Sequence, residues 1–241
     1  MPYEFQFGLV LQGIDKLLQG ALLTIELSAL SMALGLALGI FIAVILRNGS
    51  TLARTCARTY VEVIRSTPFL VQLLLIFFGM PALGLRLEAN EAALLAMTVN
   101  LGAYAAEIVR AGIVSVHRSQ LEAAQALGMS RWQVMRHVVL VPALEKVYPA
   151  LASQFTLMML ASSVVSAISA EELTAAAHLL DAETYRSFEI YIVVMVLYIL
   201  LALLFRFSFW VIGLFAFKRR RRIGLAAFKR QRALPLAGSG A

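Results

Sequence analysis

The chain has 241 residues, of which 61% are apolar and only 15% charged, and its mean hydropathy is +0.82. A soluble domain carries about 25% charged residues, so this composition belongs in lipid. The net charge of +7 sits in blocks between apolar runs, which argues against a nucleic-acid-binding face; the lone Cys56 excludes an internal disulfide, and no zinc-type cluster or Cys/His nucleophile arrangement is present.

Crossing a bilayer as helix takes roughly 20 predominantly apolar residues. Five stretches qualify, at 20–46, 69–87, 91–116, 149–170 and 187–205. A mostly polar stretch with Glu4 and Asp15 precedes the first run, which is too long for a cleaved signal, so it is expected to serve as an uncleaved insertion signal. After Arg206 the apolar sequence continues to residue 217, which predicts a tilted fifth helix whose arginine snorkels to the headgroups. The chain thus reads as an all-α integral membrane protein, with a transmembrane domain over 1–217 and a basic tail over 218–241.

Lysine and arginine concentrate in cytoplasmic loops. Seventeen of the 21 fall in the intervals after the first and third runs and in the tail; Lys16, Arg86 and Arg186 lie in the others. The expected topology therefore has the N-terminus outside and the C-terminus inside. The tail also suits anionic lipid.

The interval 115–147 is the one sizeable polar loop expected inside the cell. Ser119 and Glu122 have the spacing of a capping box, in which a serine oxygen accepts from the backbone N–H three residues on while the acidic residue reaches back. Gly128 then supplies a left-handed stop, and Ser130 with Gln133 forms a second box, so a second helix is expected to end near Pro142. Such a helix-turn-helix is also the outline of a DNA-binding motif, but the loop lacks the third helix that would complete a core.

Glu122-Ala123-Ala124, followed by Gly128 and Leu140, resembles the EAA loop of bacterial ABC importer permeases. Arg65-Ser66-Thr67-Pro68 is similar to the Arg-Gly-Thr-Pro motif of the polar amino-acid (histidine/glutamine-type) branch. Gly102-Ala103-Tyr104, Glu107 and Arg110-Ala111-Gly112 resemble its third-helix signature. The chain departs from the family pattern at Ser119-Gln120, at Leu140-Val141-Pro142 and at Leu160. The resemblance implies a multi-pass permease of the bacterial inner membrane, working by alternating access. Its implied partners are two ATP-hydrolysing subunits, a second permease chain, the same or paralogous, and an extracytoplasmic substrate-binding protein. In that reading Glu122, Ala123, Ala124 and Gly128 form the ATPase-coupling loop.

No phosphate-cradling G-x-x-x-x-G-K-[ST] pattern occurs, so the chain is not expected to be an enzyme or to hold a cofactor; ATP and Mg would sit on the partner ATPase. Polar residues at membrane depth are costly and mark paths or structural pairs. Asn100, Ser162, Ser163 and Ser166 are the candidates for a solute path, and Glu107, Arg110 and Arg65 for a structural ion pair. An ion-coupled transporter would also use intramembrane polar groups, and a membrane scaffold would also use the cytoplasmic loop.

Overall fold

The computed structural model describes residues 5–216. The basic tail expected over 218–241 lies outside them. Among the described residues the regular structure is helical: α1 (Phe7–Gln12), α2 (Ile14–Asn48), α3 (Thr51–Arg65), α4 (Phe69–Gly79), α5 (Ala89–Val114), α6 (Arg118–Ala126), α7 (Arg131–Gln133), α8 (Val141–Ala161), α9 (Leu173–Thr184) and α10 (Ser187–Ala216). Three segments of other helical pitch join them: a 3-10 turn at Met80–Leu83, a π segment at Val134–Leu140 and a second 3-10 segment at Ser162–Ile168.

Among the described residues four helical stretches are long and apolar enough to cross a membrane, or five if the bent pair Thr51–Arg65 and Phe69–Leu83 is one span. The most buried is α5, with 61% of its apolar window inside the protein against 28% for α2 and α10. It is the central post, and α2, α3, α4 and α8 pack around it. Lipid tails are as apolar as leucine, so helices in a membrane associate through close packing of small residues. Helix α5 is rich in them, and α2 meets it through Gly35 and Gly39. A Cβ built on Gly39 would lie 2.6 Å from the Cβ of Ala105 and 2.8 Å from the backbone nitrogen of Ala106, so only glycine fits this crossing.

The second span differs from the expected 69–87. Pro68 disfavours helical geometry at Thr67, and the chain turns by 110° there, separating an amphipathic α3 from α4. One face of α3 is buried through Ala57 and Val61, while Arg54, Arg58 and Glu62 are exposed. Beyond α4 the 3-10 turn ends at Gly84 (φ +83°). Eleven α-helical and four 3-10 residues reach about 25 Å, a little short of a hydrocarbon core of about 30 Å.

The fourth span also differs. Instead of a loop helix ending near Pro142 and a separate span over 149–170, one helical rod runs without interruption from Arg131 to Ile168, 38 residues. Between the fourth and fifth spans, where only a loop was expected, α9 packs on α2 and on α10. At this end Lys16 pairs with Glu183 (2.6 Å), and the backbone N–H of Gln6 donates to Glu189 (3.0 Å). At the opposite end Arg47 donates to the carbonyl of Ile113 (3.1 Å), beside the α6–α7 loop.

Candidate functional site

The loop between α5 and α8 differs from expectation at its start. His117, not Ser119, is the N-cap: its ring nitrogen accepts from the N–H of Ser119 (3.3 Å), and the helix begins at Arg118. Ser119 therefore lies inside the first turn. Glu122 does not reach back to close a box; it accepts from Arg118 Nε one turn earlier (3.0 Å). That pair is largely exposed and contributes little to stability.

Gly128 ends α6 in the left-handed region at φ +71°. Its N–H donates to Gln125 O (2.9 Å), and that of Met129 donates to Ala124 O (3.1 Å), the two bonds of a Schellman stop. The second capping box forms as the sequence implies: Gln133 N–H donates to Ser130 Oγ (3.3 Å) and Ser130 N–H to Gln133 Oε1 (2.8 Å). The two alanines diverge in environment. Ala124 is buried inside the loop, whereas Ala123 is exposed next to Glu122, and Leu127 stands 80% exposed beyond them. Trp132, 68% exposed, rises from the next turn. Two large apolar side chains on an otherwise polar loop form a surface suited to being covered.

Within the membrane Asn100 is buried on α5 and donates to Gln72 Oε1 on α4 (2.9 Å). Gln72, also buried, donates in turn to Ile64 O (2.7 Å), Thr67 O (3.1 Å) and Thr67 Oγ1 (2.8 Å). This amide fastens the elbow between α3 and α4 to the central helix. Reading the sequence singled out Asn100 and missed its partner, although a lone glutamine inside Phe69-Leu70-Val71-Gln72-Leu73-Leu74 is the same kind of signal.

The three serines lie together on the 3-10 segment that ends the long rod. Ser162 is fully buried and donates to Met159 O (2.6 Å); Ser163 and Ser166, half-buried, donate to Leu160 O (2.9 Å) and Ser163 O (2.8 Å). Each hydroxyl proton thus satisfies its own helix, as serines in spans commonly do, and Ser162 also lies within hydrogen-bond reach of the Tyr198 hydroxyl. The segment touches α2, α4, α5 and α9, so it sits where the helices converge. Asn100 reaches α4 rather than these serines.

At the end of the bundle that carries the α6–α7 loop, Arg110 donates to Glu107 through Nε (3.1 Å) and through a second guanidinium nitrogen. Arg65 does not bond to Glu107; its guanidinium stacks 5.5 Å from the ring centre of Tyr104. These groups share a cleft of about 330 Å³ with Arg58 and Glu62. At the other end sequence reading missed Glu172. It is fully buried, caps α9 by accepting from Thr174 and Ala175 N–H (2.8 and 3.0 Å), and accepts from the hydroxyl of Tyr198 on α10 (2.7 Å). An acidic residue opening a helix in an extramembrane loop was the available clue.

Residues 35–221 match the family described as binding-protein-dependent transport system inner membrane component. The chain belongs to this family. It is accordingly a multi-pass protein of the inner membrane. It is similar to the glutamine transport system permease protein GlnP of Escherichia coli (strain K12), 34% identical over 206 residues, covering 85% of this chain and 94% of that one. It is also similar to the probable amino-acid ABC transporter permease protein YckA of Bacillus subtilis (strain 168), 33% identical over 196 residues, covering 81% and 87%. Among solved structures, an amino acid ABC transporter with histidines superposes with a TM-score of 0.79 at 35% identity, covering 88% of this chain and 99% of that one. The inward-facing MetNI methionine ABC transporter superposes with a TM-score of 0.67 at 21% identity, covering 88% and 99%, a likeness of fold alone.

Proposed function

We propose that the chain is the permease subunit of an ATP-driven importer that carries polar amino acids into the cytoplasm. The observation that carries this reading is the loop of α6 and α7. It is a capped and stopped pair of short helices, set at one end of the membrane bundle, with Glu122, Ala123 and Leu127 presented outward. The family and the relatives at 33–34% identity support the cargo class.

In this reading two cytoplasmic ATP-hydrolysing subunits hold the loops of two permease chains, and a soluble binding protein delivers the solute on the α9 side. The chain's contribution is mechanical. Because the helix from Arg131 to Ile168 is unbroken, a force applied beside Gly128 acts at its far end on the Ser162–Ile168 segment, which packs against α2, α4, α5 and α9. We place the solute path along that segment and Asn100. Hydroxyl and amide groups there offer hydrogen bonds to a zwitterion without the strong hold of a buried charge. Glu107 and Arg110 serve as a structural pair near the inner boundary, flanked by Arg65.

The deciding experiment is reconstitution of the chain with its ATPase and binding protein in proteoliposomes, followed by uptake of labelled L-glutamine. ATP-dependent uptake that stops when the ATPase or binding protein is omitted is expected. Uptake driven by an ion gradient without the ATPase would replace this reading with that of an ion-coupled transporter. Loop docking without transport of any polar amino acid would leave a scaffold.

A further inference from the structure

Helix α10 carries one charge inside an otherwise apolar run: Arg206 follows the stretch ending at Phe205 and precedes Phe207, and it is exposed. A guanidinium at this position needs an anion or water, because leaving it bare in hydrocarbon is costly. Among the described residues no ion pair or hydrogen bond to Arg206 is found. Instead it lines a cleft of about 440 Å³ between α8 and α10, together with Tyr148, Ser153, Thr156 and Trp210. None of the residues lining this cleft is acidic.

Depth identifies the missing anion. Arg206 lies nineteen residues into α10 from Ser187, about 28 Å along its axis, against a hydrocarbon core about 30 Å thick. It therefore stands at the inner boundary of the bilayer, on the side of the coupling loop, where phospholipid phosphates lie. Trp210, one turn further on, is the residue type favoured at that level. Across the cleft the exposed Ser153 adds a hydroxyl. We propose that this cleft is a phospholipid site, in which Arg206 and Ser153 hold the phosphate of an inner-leaflet lipid and Trp210 lies along its glycerol and upper acyl chain. The site is independent of what the chain transports.

The test is native mass spectrometry of the complete transporter, released from detergent and titrated with phosphatidylglycerol, with diacylglycerol of the same chains, and with inorganic phosphate. Wild type is expected to bind phosphatidylglycerol at one more site per permease chain than Arg206→Gln. Binding at that site should weaken by about tenfold or more, as for a lost charged hydrogen bond. Diacylglycerol should not occupy it, and inorganic phosphate should not displace the lipid, which separates a lipid site from a site for free phosphate. Ser153→Phe, which fills the cleft and keeps the arginine, covers the case in which Arg206→Gln assembles poorly; it should lose the same lipid. Equal lipid occupancy in wild type and both variants would overturn the proposal. So would a complex that dissociates on Arg206→Gln while Ser153→Phe keeps every lipid, because Arg206 would then face a carboxylate of a neighbouring chain.

Discussion

The amide of Gln72 ties α4 both to the elbow and to α5, and replacing it tests how the elbow is held. Gln72→Leu removes two amide N–H donors, shared among Ile64 O, Thr67 O and Thr67 Oγ1, and one acceptor used by Asn100, while keeping a similar apolar volume. Hydrogen bonds inside membrane proteins average about 0.6 kcal/mol, so these two donated bonds and one accepted bond are together worth about 1.8 kcal/mol. Asn100→Leu removes only the shared bond and should cost about 0.6 kcal/mol by the same measure. The double variant loses that bond once, not twice, and should fall short of the sum of the single effects by about 0.6 kcal/mol. SDS-induced unfolding of the purified chain, followed by circular dichroism, measures all three. If Asn100→Leu destabilised as much as Gln72→Leu, or the two effects were additive, the amide pair would not be what fastens the elbow to α5.

Gly128→Val is expected to uncouple transport while leaving the chain inserted. A Cβ there meets nothing within 4 Å, so the penalty is the left-handed backbone alone, about 1–2 kcal/mol; Gly128→Asn should be milder, and substrate-stimulated ATP hydrolysis is the readout. Gly39→Leu should lower the yield of folded protein sharply because α5 backbone blocks the added side chain, whereas Gly79→Ala, with open space around it, should be neutral by thermal melting. In a Cys56→Ser background, a cysteine replacing the exposed Ala182 should react with an impermeant reagent only from the extracytoplasmic side; reaction from inside would invert the topology. Asn100→Ala should reduce L-glutamine uptake per assembled complex if Asn100 touches the solute, and unchanged uptake per complex would restrict it to packing.

The lengths of the apolar runs were the legible part. Apolar runs located α2, α5 and α10 to within a few residues at most ends, because a bilayer sets a length that composition alone reveals. The stop at Gly128 and the box at Ser130 were equally readable, since each depends on residues within four positions. Competition between near-equivalent local signals was not readable. Both His117 and Ser119 offer an acceptor to an opening helix, and only the path of the chain leaving α5 decides that the earlier one is used. Helix α9 was hidden for a different reason: twelve residues are too few to register as a span, and its support comes from Glu172, Tyr198 and the close approach of Gly20 to the backbone of Leu173. Those contacts join parts of the chain that sequence order does not place together.

The junction at Pro142 shows how a local rule was obeyed without its usual consequence. Proline lacks an N–H and its ring clashes with the carbonyl four residues back, which normally ends or kinks a helix. Here the seven residues Val134–Leu140 are wound as a π segment, and Val141, between that segment and the proline, still donates to Arg136 O, five residues back. A wider turn displaces the carbonyls that the ring would strike, and Pro142 arrives where the hydrogen-bond spacing is already changing. The proline therefore sits at a change of pitch rather than at an end. A straight helix would transmit a push from the loop as pure translation, whereas a rod with a change of pitch near its base also converts local rewinding into rotation of everything beyond it. Ser162, Ser163 and Ser166 lie beyond it, at the convergence of α2, α4, α5 and α9, so they are the side chains such a rotation would reorient.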